Sequence, residues 1–244
     1  MIRIRGVEIS KENCAICAPI VSTNENDILE SAKNIVDSKA EIAELRVDFY
    51  EECDSPVAVS RLLYKLRDVL GDMPLIFTFR TRTEGGNKDV THDEYVKTVY
   101  AAVASNCIDI VDIEWELVKN NVTELLNAAH CMQVAVILSN HDFNKTPETE
   151  DIIKLLEDMH LQGADICKVA FMPQDKSDVE ALRRAVLIVD AKYDNVTLVA
   201  ISMGELGRLS RTNPKEFVSS ITFGVVGKAS APGQIDVNEL ANMV

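Results

Sequence analysis

Apolar residues in this chain fall into short continuous runs, separated by longer stretches in which they recur every three or four positions. The runs are CAICAPI (14–20), AELRVDF (43–49), PLIFTFR (74–80), IDIVDIE (108–114), VAVILS (134–139), DICKVA (165–170), VTLVAIS (196–202) and ITFGVV (221–226). Each has strand length and is rich in β-branched residues, and their centres lie roughly 25 to 35 residues apart, the spacing of a βα unit. Between them, residues 24–38 put Ile28, Leu29, Ala32, Ile35 and Val36 on one helical face. Thr91 with Glu94 three positions on is a capping box, and residues 151–160 and 178–189 repeat the 3.6-residue period. An alternating stretch, IRIRGVEI, precedes the first run and predicts a strand or hairpin outside the repeats.

Strands that are apolar on both faces and alternate with helices imply a parallel sheet covered on both sides. An open doubly wound sheet and a closed barrel both satisfy this, and a count of eight favours the α/β class of the (β/α)8 TIM barrel. No GxGxxG follows the first run and no GxxxxGK[ST] occurs anywhere, so the common nucleotide-binding sheets lose support. With no linker-like or low-complexity tract in 244 residues, a single barrel domain spanning residues 1–244 is expected.

Composition narrows the partners. A net charge of -14 argues against nucleic acid, whose phosphates require an excess of Lys and Arg on the binding face. No apolar run nears the ~18 residues of a membrane span, and MIRIRGVEIS lacks a signal-peptide core, so no membrane partner and a cytoplasmic location are expected. Of the six cysteines, Cys107, Cys131 and Cys167 sit in apolar runs and read as small hydrophobes. Cys14 and Cys17 form a CxxC, but in a strand positions three apart point to opposite faces, which favours packing over a metal or redox role.

In such barrels the chemistry lies at the C-terminal ends of the strands. There the chain carries Glu44, Arg46 and Asp48; Arg80 and then TRTEGGNKD with Glu84; Asp112 and Glu114; His141 in SNHDF; Lys168; Arg211 in MGELGRLSR; and Ser230 and Gln234 in KASAPGQ. Taken singly, each has a plain structural explanation. Arg46 with Glu44, or Arg80 with Glu114, would serve as ion pairs, Asp112 and Glu114 would hold the frame, and Lys168 would reach out to solvent. Taken together, they would converge on one barrel mouth.

Lys168 stands in ADICKVAFMP, where its apolar neighbours and nearby arginines would favour the neutral amine, a nucleophile toward a carbonyl. The resulting imine would acidify the adjacent carbon, and a histidine is suited to take that proton near neutrality. Glu84 would hold the imidazole's tautomer, and the arginines call for an anionic substrate. Spacing alone therefore suggests Schiff-base chemistry on a small polyhydroxylated keto acid.

ELRVD (44–48), FTFRTRTEGG (77–86), SNHDF (139–143), KVAFMPQ (168–174), the SR of GRLSR and KASAPGQ (228–234) closely resemble, in order, the type I 3-dehydroquinate dehydratases. The resemblance implies a barrel lyase of the shikimate pathway, usually a homodimer, that converts 3-dehydroquinate to 3-dehydroshikimate with neither metal nor organic cofactor. It makes Lys168 the imine-forming residue and His141 the general base and acid, oriented by Glu84. Arg211 would grip the substrate carboxylate, Ser230 and Gln234 would lie on a closing loop, and Glu44, Arg46 and Arg80 would bind the rest. Met203 would pack against the ring. Three rivals stay open on spacing: a class I aldolase, a metal-dependent isomerase using His141, Asp112 and Glu114, and a silent barrel that binds a sugar acid.

Overall fold

The structure is a computed structural model that describes residues 1–227 and 231–244. The chain opens with a hairpin of β1 (Ile2–Ile4) and β2 (Val7–Ile9), paired antiparallel with Ile4 opposite Val7. Its two-residue turn, Arg5–Gly6, has positive φ at both positions, 45° and 89°, as a turn matching strand twist requires.

Eight parallel strands follow: β3 (Ala15–Ile20), β4 (Ile42–Arg46), β5 (Leu75–Thr78), β6 (Ile110–Glu114), β7 (Ala135–Asp142), β8 (Ile166–Phe171), β9 (Leu198–Ser202) and β10 (Ile221–Phe223). They lie in sequence order, with β10 beside β3, and Ser220 N–H donates to the Leu198 carbonyl at 2.8 Å across the remaining seam. The expected barrel is therefore present, with the hairpin outside its eight strands.

The major helices are α1 (Glu25–Val36), α2 (Pro56–Leu70), α3 (His92–Ala104), α5 (Val122–Cys131), α6 (Thr149–Leu161) and α7 (Lys176–Lys192), with single turns α4 (Trp115–Val118), α8 (Leu209–Thr212) and α9 (Val237–Leu240). Local sequence accounts for their starts. Asn24 Oδ1 accepts from Asp27 N–H at 3.0 Å, Ser55 caps a helix with Pro56 at its first position, and the Thr91–Glu94 capping box forms as predicted.

Two apolar layers follow from the period-2 alternation of the strands. Outward residues such as Leu45, Phe77, Val111, Val136, Leu138, Val169 and Ala200 meet Ile28, Leu62, Leu66, Leu156 and Val186 of the helices. Inward residues form a belt of Ile42, Ile76, Ile110, Ile137, Ile166, Val199 and Ile221, each fully buried. The hairpin places Ile9 in this inner cluster and packs Ile2, Ile4 and Val7 against it, closing the end where the strands begin.

Two cysteine readings divide. Cys107 and Cys167 are buried as expected, whereas Cys131 is exposed, because it ends α5 on the solvent side. Cys17 is buried in β3 and Cys14 precedes that strand, half-buried.

Candidate active site

The belt of isoleucines sets the height at which chemistry begins. Two residues after each of five consecutive belt isoleucines, the inward position is polar: Glu44, Thr78, Asp112, Ser139 and Lys168, all buried. Two residues further come Arg46, Arg80, Glu114, His141 and Ala170. Strand pairing brings these rows side by side, with Arg46 opposite Thr78, Thr78 opposite Asp112, Glu114 opposite Ser139, Ser139 opposite Lys168 and His141 opposite Ala170. The polar rows thus sit on an apolar floor that excludes water from below.

One cavity opens above them. Lys168, His141, Glu84, Glu44, Arg46, Arg80, Arg211 and Gln234 all line it, joined by Gly85, Phe143, Ala170, Ile201, Met203, Phe223 and Ala231. Ser230 lies outside the described residues. Asp48, expected on the same face as Glu44 and Arg46, does not line the cavity, because β4 ends at Arg46 and the chain turns through a 3-10 segment, Val47–Phe49. There Asp48 is fully buried and holds Arg46 through two 2.8 Å hydrogen bonds. The expected partner of Arg46, Glu44, instead accepts from Thr78 Oγ1 at 2.8 Å.

Lys168 is not surrounded by apolar groups alone. Its Nζ donates to Asp112 Oδ2 at 2.8 Å, lies 3.8 Å from Glu44 Oε1, and sits 4.5 Å from the centroid of the Phe223 ring. The nearby charges therefore alternate: Arg46 and Arg80 are bound to carboxylates, and a carboxylate holds the lysine. Arg80 Nη2 donates to Asp112 Oδ1 at 2.8 Å, and its Nη1 donates to Glu114 Oε1 and Ser139 Oγ, both at 3.1 Å. Burial opposes ionisation of Asp112, but Arg80 and Lys168 outweigh it and hold the carboxyl well below the usual range. Glu114 accepts from Arg80 Nη1, Thr81 N–H and Thr81 Oγ1, the contacts of a frame residue.

Glu84 reaches His141 from a 3-10 turn, Arg82–Glu84. One carboxyl oxygen, Oε2, lies 2.9 Å from His141 Nδ1 and accepts the His141 backbone N–H at 3.0 Å. An oxygen already accepting a backbone N–H is placed to accept from Nδ1 as well, which leaves Nε2 as the imidazole's acceptor. Burial, followed by the positive charges of Arg80 and Lys168, moves His141 well below the usual imidazole value, so it rests neutral. Burial also raises Glu84 to about 8 against the pull of Arg80.

The TRTEGGNKD segment, long enough to suggest a lid, is a tied-down turn. Gly86 N–H donates to Thr81 O at 2.7 Å, Arg82 N–H to Lys88 O at 2.9 Å and Asn87 N–H to Asp48 Oδ2 at 3.0 Å. The glycine pair is needed for close approach: a Cβ on Gly85 would enter the Phe143 ring, and one on Gly86 would overlap the Arg80 carbonyl.

Arg211 differs from the other two arginines. It is 2% exposed and contacts no carboxylate among the described residues; its guanidinium donates only to the carbonyls of Phe223 and Pro232, each at 3.4 Å, and its Nε has no partner. Burial lowers it to about 10, so it remains cationic near neutrality. A buried guanidinium without a carboxylate partner among the described residues, at the edge of a cavity, has the charge and the free donors to pair with an incoming carboxylate.

Sequence reasoning missed Thr78 and Ser139, placed Asp112 among the frame residues, and did not single out Phe143 or Phe223. The isoleucine-x-polar repeat at Ile42, Ile76, Ile110, Ile137 and Ile166 was the signal available for the first three. The aromatics had none, since an apolar residue at a strand end reads as core.

Comparison with known proteins converges on one group. The type I 3-dehydroquinase family model matches residues 16–244. A 3-dehydroquinate dehydratase of Clostridioides difficile is 37% identical over 243 residues, spanning 100% of this chain and 95% of that protein. One from Bacillus licheniformis is 38% identical over 244 residues, spanning 100% and 96%. The crystal structure of the Clostridium difficile type I enzyme with covalently modified comenic acid superposes with a TM-score of 0.95 at 37% identity, covering 99% of this chain and 95% of that one. The Geobacillus kaustophilus 3-dehydroquinate dehydratase gives 0.95 at 29% identity, covering 99% and 94%. With the lysine, the histidine and the unpaired arginine on one barrel mouth, and a match that runs from the first barrel strand to the last residue, the chain belongs to the type I 3-dehydroquinase family.

Proposed function

We propose that this chain removes water from 3-dehydroquinate, giving 3-dehydroshikimate in the shikimate pathway, through an imine on Lys168. The observation that carries the residue assignment is the shared cavity: the one lysine among its described lining residues, a neutral histidine and an arginine with no carboxylate partner among the described residues all border it.

In this reading the Arg211 guanidinium takes the substrate carboxylate and turns the ketone toward Lys168. The nitrogen forms a bond to the carbonyl carbon and the carbonyl oxygen leaves as water. The iminium draws electrons from the neighbouring carbon, and His141 Nε2, freed as an acceptor by the Nδ1–Glu84 contact, removes a proton from it. The same imidazole returns that proton to the departing hydroxyl, and water attack on the iminium frees the product. Glu44 and Arg46 sit where they can bind ring hydroxyls, Gln234 and Ser230 would cover the bound molecule, and Met203 would pack against its ring. Arg80 already carries its carboxylates, so its part in binding is smaller than that of Arg211.

The test is reductive trapping. Borohydride with 3-dehydroquinate is expected to add one reduced substrate mass to Lys168, and none to the Lys168→Met variant. His141→Ala is expected to form the adduct but to turn over ~10² to 10⁴ more slowly. A wild-type protein that stays unmodified refutes the imine.

We further infer a single domain acting as a homodimer in the cytoplasm. Light scattering on an eluting peak tests the dimer. For location, no helix among the described residues is long and apolar enough to cross a membrane.

A further inference from the structure

Asp112 does not line the cavity, yet it is the group closest to the reacting nitrogen. It is fully buried and its two oxygens are divided: Oδ1 accepts from Arg80 Nη2 at 2.8 Å and Ser139 Oγ at 2.6 Å, while Oδ2 accepts from Lys168 Nζ. Two donors from two other segments pin the first oxygen, so the second is held in place for the lysine. The Phe223 ring lies 4.5 Å away and also favours a cation.

The chemistry of imine formation gives this arrangement its meaning. An ammonium carries three hydrogens and one positive charge. Its reaction with a ketone breaks the C–O double bond, forms a C–N double bond, and releases two hydrogens with the oxygen as water. One N–H and the whole positive charge stay on nitrogen. No external acid, base or co-reactant enters the sum. The nitrogen therefore presents a cation with at least one N–H to Asp112 both before and after the bond is made.

We propose that Asp112 is a positioning residue, the standing counterion of the Lys168 nitrogen, which it pairs as ammonium and continues to pair as iminium. This rests on Lys168 being the imine-forming residue. The carboxylate stabilises the intermediate from which the carbon proton is removed, and it fixes the nitrogen in the plane that the elimination needs. The other groups facing Lys168 are Glu44 on β4, Cys17 on β3, and His141 with Arg80 above. Glu44 at 3.8 Å is too far for a hydrogen bond, so Asp112 alone supplies one among the described carboxylates.

Asp112→Asn tests this. The amide oxygen would keep Arg80 and Ser139, leaving its NH2 facing the lysine, two donors opposed. Turnover is expected to fall about 10- to 100-fold with KM changed far less, the scale of one charged hydrogen bond. The pH profile of cyanoborohydride trapping is expected to differ from that of the wild type, because the carboxylate facing the nitrogen is gone. Ser139→Ala, which keeps that charge, is expected to leave the profile in place. Turnover and trapping like wild type in Asp112→Asn overturn the proposal. Should that variant unfold, the same substitution in Lys168→Met decides: recovery of the fold supports pairing, and equal loss in both backgrounds makes Asp112 purely structural and overturns it. Absence of any adduct in the wild type overturns instead the imine itself.

Discussion

Arg211 and Glu84 are the single residues of this site on which burial weighs without full compensation from a neighbour. Arg211 keeps a charge in a nearly dry setting with, among the described residues, only two long hydrogen bonds to carbonyls. Replacing it with methionine removes that burden, so Arg211→Met is expected to gain about 1 to 3 kcal/mol in urea unfolding while raising KM by ~10-fold or more. Unchanged KM would remove Arg211 from carboxylate binding. For Glu84, burial raises the carboxyl from 4.5 to about 8, so between those values the folded state holds a proton that the unfolded state has lost. Stability from this residue is therefore fully present below about 4.5 and is lost as pH rises through about 8. Glu84→Gln, which cannot ionise, is expected to become more stable relative to wild type across that window, on the order of several kcal/mol at its upper end. Parallel stability curves for the two proteins would show that Glu84 ionises normally.

At the scale of elements, the turn after β5 matters more than any helix. Its 3-10 segment delivers Glu84 to His141, and the turn closes only because Gly86 admits the Arg80 carbonyl. Gly86→Ala is expected to cost ~2 kcal/mol or more in thermal unfolding and to slow turnover with imine trapping retained, since it displaces Glu84 rather than Lys168. The strands were legible because eight apolar runs recur at the βα spacing, and helix starts were legible where a side chain caps them, as at Thr91. The end of β4 was not. Its alternating Glu44, Arg46 and Asp48 read as one face, but the backbone leaves the strand at Val47, a choice set by Asp48 binding both Arg46 and Asn87 N–H. Such a bond joins residues 39 positions apart, beyond any local pattern.

For the whole molecule, the barrel separates stability from chemistry along its axis. The hairpin closes the end where the strands begin, with Ile9 in the inner cluster, while every proposed catalytic group lies at the other end. Ile9→Ala is expected to destabilise the protein by ~2 to 5 kcal/mol in urea unfolding and to leave kcat/KM near the wild-type value at temperatures where both are folded. A large loss of kcat/KM would show that the two ends are coupled. The charge of the site is also a property of the whole: Arg46 is offset by Asp48, Arg80 by Asp112 and Glu114, and Lys168 by Asp112, which leaves Arg211 as the cation without a carboxylate partner among those lining the described cavity.

The sequence by itself determined the repeat of strand and helix, the barrel class, the outer hairpin and which polar residues stand at strand ends, because alternation and spacing are local properties of a chain. Its motifs also pointed to Lys168, His141, Glu84 and Arg211. Only the tertiary structure decided how those charges are shared: that Asp112 holds the lysine, that Arg46 turns to Asp48, that Glu84 approaches Nδ1, and that Arg211 goes unmatched. Electrostatic pairing depends on distance in space and on exclusion of water, and both arise only when eight strands close around one axis.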